Sequence, residues 1–195
     1  MKKILIFTAL IGFLLAGCQH DNSIITPSEE NISAASFSEP EWISFPSSNS
    51  LRKMSHTEGW VVTDGVTELS ILDQYATPGG PHNQVTLDCS IKFVAGAVDE
   101  DVYMSWDYDD VTGIATFLPG MEFNIPAELD IMIEGLALVP GDELLVDFYY
   151  IWTDEYGVEH SESIDYDELN VDVATGTIEL INGIIPHFSR FGFGK

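Results

Sequence analysis

Two side chains near the carboxyl end, those of His187 and Ser189, have the chemistry to break the peptide bond between Phe188 and Ser189. His187, Phe188 and Ser189 are adjacent. The Ser189 hydroxyl can attack the carbonyl carbon of Phe188 while His187 accepts its proton, and the ester formed by this N-to-O acyl shift can then be hydrolysed. Because a planar trans peptide holds the hydroxyl poorly for attack, the fold must twist the Phe188–Ser189 bond. The alternative, which we favour, is an ordinary last strand in which His187 and Ser189 are hydrogen-bonded.

A second reactive group is the thiol of Cys18, which ends the tetrapeptide Leu15-Ala16-Gly17-Cys18. An apolar run from Ile4 to Leu15 precedes it behind two lysines, which is typical of a cleaved secretory signal and too short to span a bilayer. The tetrapeptide resembles the lipid-attachment site of bacterial lipoproteins. This resemblance implies that residues 1–17 are removed and that Cys18 carries lipid on its sulfur. Acyl chains contribute about 0.8 kcal/mol per buried methylene, so we expect a stable membrane anchor.

The residue after Cys18 indicates whether the lipid anchor lies in the inner or the outer membrane. Gln19 stands where, by resemblance to enterobacterial sorting, an aspartate would retain the protein in the inner membrane. We therefore expect an outer-membrane location, with the folded part facing the periplasm or the cell exterior.

The composition is strongly acidic and leaves room for one domain. The chain has 32 acidic and 7 basic residues and a formal net charge of −25. Such a charge repels phosphate backbones, so we expect no nucleic-acid partner. Of the 195 residues, the 178 that remain once the predicted signal at 1–17 is removed are enough for one domain and a tether. With Cys18 lipidated, Cys89 has no disulfide partner, and its alternation with apolar neighbours predicts a buried, inert thiol.

Residues 18–54 and 55–195 differ in composition and in the periodicity of their apolar residues. The first part is rich in Ser, Asn, Pro and Glu and has no sustained period, which predicts a flexible tether behind the lipidated cysteine. The apolar stretch from Trp42 to Phe45 is suited to docking on the domain, but the prediction keeps it in the tether. In 55–195, short β-branched and aromatic runs alternate with turn residues, which predicts an all-β, antiparallel β-sandwich.

Individual strands differ in how clearly they are marked. Gln84 to Phe93 and Leu144 to Thr153 carry an apolar residue at every second position, as half-buried strands do. The Asp64-Gly65 pair lies between two strand-like runs and predicts a hairpin there. The region from Tyr156 to Asp172 reads as a polar, acidic stretch.

Three motifs in order resemble the ZU-five domain, a β-sandwich found in ankyrins, netrin receptors, tight-junction scaffolds and bacterial surface proteins. They are Ile91 to Val98, Phe123 to Leu129 and Ile185 to Phe191, so the resemblance covers residues 84–195 and leaves the role of 59–83 open. It implies a module that binds other protein segments. In some members of this family the tripeptide His-Phe-Ser is a self-cleavage site, and His187 to Ser189 match it.

Acidic side chains supply the weaker metal candidates. Asp99, Asp101, Asp107 and Asp109 can offer oxygen ligands to Ca²⁺, but the sequence around them does not fit the twelve-residue calcium loop. Solvated acidic loops are the preferred interpretation unless two such loops meet at one end of the sandwich. The five histidines lack metal-ligand spacing, and we expect no other cofactor.

The remaining hypotheses concern ligands. Five aromatic residues are candidates for a platform that binds sugars or peptides, with Tyr108 and Tyr149 the freest of them: Trp106, Tyr108, Tyr149, Trp152 and Tyr156. No nucleophile elbow, phosphate loop or zinc-protease helix is present, so a conventional enzyme is not expected. The sequence predicts a lipid-anchored binding or structural module with a protein partner; the alternatives are a self-cleaving domain and a glycan-binding module.

Overall fold

Eleven β-strands make up most of the computed structural model, which describes residues 39–46 and 54–195. In chain order, they are β1 (Met54–Val61), β2 (Thr67–Ala76), β3 (Gln84–Phe93), β4 (Val102–Asp109), β5 (Ile114–Leu118), β6 (Glu122–Glu134), β7 (Asp147–Thr153), β8 (Glu159–Ser163), β9 (Glu168–Asp172), β10 (Thr177–His187) and β11 (Arg190–Gly194). A single 3-10 turn, Asp142–Leu144, interrupts the connection from β6 to β7. In the part that the structure describes, no helix is long and apolar enough to cross a membrane.

The strands form two antiparallel sheets that pack face to face. Sheet A has the order β1-β4-β5-β11-β7-β8, and sheet B has the order β2-β3-β6-β10-β9. The predicted all-β, antiparallel β-sandwich is therefore confirmed. The predicted lipid site at Cys18, the signal at 1–17 and most of the proposed tether lie outside the described residues.

The core lies between the sheets and follows from the two-residue period of the strands. In β3, side chains at alternate positions from Val85 to Phe93 are buried, and β4 buries Met104, Trp106 and Tyr108 in the same way. Cys89 belongs to this set, so its predicted burial is confirmed. Burial raises the pKa of its thiol well above the usual range, which keeps it protonated.

The predicted hairpin at Asp64-Gly65 is wrong. β1 pairs with β4 in sheet A, and β2 pairs with β3 in sheet B, so the turn carries the chain from one sheet to the other. Both strands have a face to bury, and stacking buries the two faces against each other. Gly59 of β1 lies directly against the Leu69 side chain of β2, where a Cβ would stand 2.7 Å from a methyl carbon.

The acidic stretch after Tyr156 contains two strands that the sequence did not reveal. β8 and β9 each run along one edge of their sheet. Edge strands have polar, charged side chains because much of their surface faces water, so their sequences lack the apolar alternation of the central strands.

Residues 39–46 belong to the sandwich and not to the tether in which the sequence placed them. The backbone of Trp42 pairs with Gly194, and the Ile43 amide donates to the Phe193 carbonyl at 2.8 Å. This edge of β11 is open because β5 pairs with it only as far as Gly192. Ile43 and Phe45 are buried in the core. The missing partner strand therefore explains why this segment docks.

Candidate functional site

The His187-Phe188-Ser189 tripeptide lies where the chain crosses from β10 in sheet B to β11 in sheet A. The Phe188 amide donates to the Met121 carbonyl at 2.7 Å, and the Phe117 amide donates to the Ser189 carbonyl at 2.8 Å. The Phe188 ring is buried among other aromatic rings. The crossing is therefore held on both sides by backbone hydrogen bonds and by its central side chain.

The two proposed reactive side chains have other partners. The Ser189 hydroxyl donates to the Ile151 carbonyl at 3.2 Å, and the His187 ring packs edge-on against Tyr150 with ring centres 4.3 Å apart. Over the described residues, positive φ angles outside glycine occur at Asn83 and Asn182, so neither half of this peptide is in that strained region. These contacts correspond to the ordinary strand that we favour, and self-cleavage stays an untested alternative.

We expect a single full-length mass when soluble protein from His20 onward is denatured and weighed, beside a Ser189→Ala control. The physical reason is that the Ser189 proton is directed to a backbone oxygen and not to His187. Loss of a mass matching residues 189–195 in the wild-type protein alone would show that the bond is cleaved and would contradict this expectation.

The four calcium candidates are not gathered at one place. Asp101 immediately precedes β4 and Asp109 is its last residue, so they lie eight positions apart, which corresponds to about 26 Å along a strand. Asp101 accepts hydrogen bonds from the Thr63 amide and hydroxyl, Asp99 accepts one from Asn124, and Asp109 accepts one from the Val111 amide. Asp107 lies 2.8 Å from His56.

The acidic loops at the two ends of β4 therefore do not meet at one end of the sandwich. Across residues 39–46 and 54–195, no three His, Cys, Asp or Glu side chains are grouped as metal ligands would be. Sheet B carries a shallow depression of about 360 Å³ on its outer face, lined in part by Asp88, Asp130 and Glu179.

The predicted aromatic platform does not form. Trp106 and Tyr108 are fully buried, and Trp106 stacks on Phe117 at 5.1 Å, so the expectation that Tyr108 is free is wrong. They lie two and four positions after the buried Met104 in β4, so the alternation of the strand places them on the same, inner face. Tyr149 packs edge-on against Trp42, and Tyr156 is exposed in the turn after β7.

A different aromatic pair is exposed on the outer face of sheet A. Trp60 of β1 and Tyr103 of β4 are directly opposite each other, with ring centres 5.3 Å apart and ring planes at 67°. Their exposed fractions are 59% and 46%. Leu118 of β5 is also exposed and pairs with Ser105, diagonal to Tyr103 on the same face. We call Trp60, Tyr103 and Leu118 the outer aromatic patch.

The sequence held a signal for this patch that the prediction did not use. Trp106 and Tyr108 lie an even number of positions from Met104, whereas Tyr103 lies an odd number away. In a strand, this parity places Tyr103 on the face opposite the core.

A polar strip continues from the patch along β1 and β4. A hydrogen bond to Glu58 raises the pKa of the Tyr103 hydroxyl above its ordinary value of 10. His56 lies 3.5 Å from Glu58 and 2.8 Å from Asp107. The hydrogen bond to Asp107 is the main reason that the pKa of His56 is raised above 6.5. The patch is thus bordered by carboxylates and by an imidazole that readily takes up a proton.

Comparison of this chain with models of protein families, with curated proteins and with solved structures finds no match. The resemblances to bacterial lipoproteins and to the ZU-five domain stay predictions.

Proposed function

We propose that this chain is a lipid-anchored protein of the bacterial outer membrane that presents its β-sandwich as a protein-binding module. The lipid on Cys18 would hold the sandwich at the membrane, and the outer aromatic patch would contact the partner. The observation that carries this proposal is the exposed cross-strand pair of Trp60 and Tyr103.

The chemistry of the patch supports a protein partner. Tryptophan and tyrosine are enriched among the residues that dominate binding energy at protein interfaces, and they act best when a polar rim surrounds them. Leu118 extends the apolar area, while Glu58 and Asp107 supply a rim. β1 is also an edge strand of sheet A in the part that the structure describes, so its outer backbone groups offer a place for an extended segment to pair.

The charge of the chain limits the kind of partner. At a formal charge of −25, it attracts partners with a positive surface and repels acidic ones. The partner that fits best has an apolar anchor for the patch and basic residues around it. A sugar stacks on a flat ring face, and two rings at 67° do not share a plane, so a glycan is treated as an alternative outcome of the test.

The test places a photo-cross-linking amino acid at Trp60 in cells that produce the full chain. The matched control places it at Leu72, whose side chain is also exposed but lies on the outer face of sheet B. We expect a discrete cross-linked protein from position 60, its loss when Tyr103→Ala is added, and none from position 72. With the purified partner, Trp60→Ala should weaken affinity about 30-fold, as for an interface residue worth about 2 kcal/mol.

Three results would contradict the proposal. Equal cross-linking from both positions, or affinity unchanged by Trp60→Ala, would show that the patch is not the binding face. Binding of a glycan that Trp60→Ala abolishes, without a protein cross-link, would replace the protein partner by a sugar. The anchor is tested separately, since Cys18→Ala should move the protein out of the membrane fraction and remove the acyl mass.

A further inference from the structure

The connection from β6 to β7 displays apolar side chains that the core does not use. Leu144 and Leu145 are 84% and 61% exposed, and Val139 on the same connection is exposed as well. We call these three residues the leucine tip. They are not part of the outer aromatic patch, which lies on the strands β1, β4 and β5.

The tip is held in shape by its own hydrogen bonds. The Asp142 carboxylate accepts from the Val139 amide at 2.9 Å, and the Glu143 carboxylate accepts from the Gly141 amide at 2.9 Å. The Leu145 amide donates to the Asp142 carbonyl at 2.9 Å, which closes the 3-10 turn. Both leucines are therefore fixed in an outward position by a built turn.

The segment that precedes the sandwich joins it beside this tip. The backbones of Glu41 and Lys195 exchange two hydrogen bonds of 2.8 and 3.1 Å. The Lys195 ammonium in turn lies 3.0 Å from the buried Asp142 carboxylate of the tip. Lys195 thus links Glu41, where the chain enters the sandwich, to Asp142 in the turn of the leucine tip.

Chain length brings the proposed anchor within reach of the same end. Cys18 precedes Glu41 by 23 positions, which span at most about 80 Å even when fully extended. A lipid surface that holds Cys18 is therefore a surface that this end of the sandwich can approach.

We propose that the leucine tip inserts into the surface of the membrane that holds the lipidated Cys18, as a second, reversible contact. This inference rests on the anchor in the proposed function. The contact is apolar through Val139, Leu144 and Leu145, because the Asp142 carboxylate is paired with Lys195 and the Glu143 carboxylate accepts a hydrogen bond from the Gly141 amide. Since the chain carries a formal charge of −25, the fitting surface is a zwitterionic lipid and not an anionic one.

The consequence is a preferred orientation. With the tip on the membrane, the ends of the strands face the lipid, and the outer face of sheet A stands away from it. The outer aromatic patch would then be open to a partner.

The test uses the acylated full chain in phosphatidylcholine vesicles whose acyl chains carry bromine, a contact quencher of tryptophan fluorescence. Leu145→Trp places the probe on the tip, and Leu72→Trp is the matched control at another exposed site, on the outer face of sheet B. Each is compared with the parent chain, which has four tryptophans of its own. Apolar groups of a surface-bound element reach about 5–10 Å into the lipid, so we expect the added emission of Leu145→Trp to fall about twofold and that of Leu72→Trp to stay unchanged.

The outcomes separate the inference from the function on which it rests. A chain without acyl mass that fails to float with the vesicles would overturn the anchor and this inference together. An acylated chain that floats, but whose Leu145→Trp emission is quenched no more than that of Leu72→Trp, would overturn the inference alone. Stronger quenching in vesicles with added anionic phospholipid would also overturn it, because that result requires an electrostatic contact.

Discussion

Replacing Phe188 by alanine is expected to lower the free energy of unfolding by about 3–5 kcal/mol, the cost of removing a buried phenyl ring. The ring stacks on Phe117 with centres 5.6 Å apart and planes at 4°, and it meets Phe123 edge-on at 4.4 Å. It also packs against Phe93 at 5.7 Å. Because these partners come from both sheets, the cavity left by the ring would lie between the sheets, at the end of the sandwich where the chain crosses from β10 to β11.

Chemical denaturation of the wild-type and Phe188→Ala proteins measures this loss. Tyr156→Ala is the matched aromatic control, because Tyr156 is exposed and its removal should change the free energy by no more than about 0.5 kcal/mol. A Phe188→Ala loss near that of the control would show that the aromatic cluster does not hold the two sheets together. The dependence of stability on denaturant should stay the same, since the surface exposed on unfolding hardly changes.

The second large effect is expected at Asp142, whose carboxylate is buried beside Lys195. Burial opposes its ionisation, but hydrogen bonds from the Val139 amide and the Lys195 ammonium outweigh burial and lower the pKa of Asp142 below 3.8. Lys195→Met removes one of these and leaves a buried charge short of a partner. At pH 7 we expect a loss of about 1.5–3 kcal/mol, typical of a hydrogen bond to a charged group.

The direction of the pH dependence follows from linkage. A carboxyl whose pKa is lower in the folded state stabilises the protein above its unfolded pKa, and this stabilisation is lost as pH falls through the folded pKa. In Lys195→Met the folded pKa rises, so the difference between variant and wild type should be largest at neutral pH and should shrink on acidification below about pH 4.

A double-mutant cycle with Asp142→Asn checks the cause. If the pair is responsible, Lys195→Met should cost much less in the Asp142→Asn background than in the wild type, where the charge is present. Equal costs in both backgrounds, or a cost that does not change with pH, would mean that Lys195 acts through packing alone.

Strand parity accounts for most of the fold that could be predicted. The alternation in β3 identified one buried face, and it was correct because a strand with one face in the core has a strict two-residue period. The same rule applied to β4 would have placed Trp106 and Tyr108 inside and Tyr103 outside. The outer position of Tyr103, and with it the outer aromatic patch, could therefore have been predicted from the sequence, and the error at Tyr108 came from treating aromatic residues as a group.

The docking of residues 39–46 could not be predicted in this way. Ile43 and Phe45 are buried because β5 leaves one edge of β11 open. The sequence around Ile43 carries no information about the length of β5, which lies about 70 positions later in the chain. The Asp64-Gly65 turn failed for a related reason. Turn residues predict that the chain changes direction. Whether the two strands then pair with each other depends on which sheet buries the apolar face of each strand, and that is a property of the whole sandwich.

β11 is the last strand in chain order, and it lies between β5 and β7 in sheet A. The β1-β4-β5 half and the β7-β8 half of that sheet are joined through it. During synthesis, the two halves therefore have open inner edges until residues 190–194 emerge. Contacts between segments so far apart in sequence form slowly. Until they form, the unpaired strand edges are prone to pair with other chains. Until residues 190–194 are made, a nascent chain of this protein therefore exposes two strand edges that the folded sheet covers.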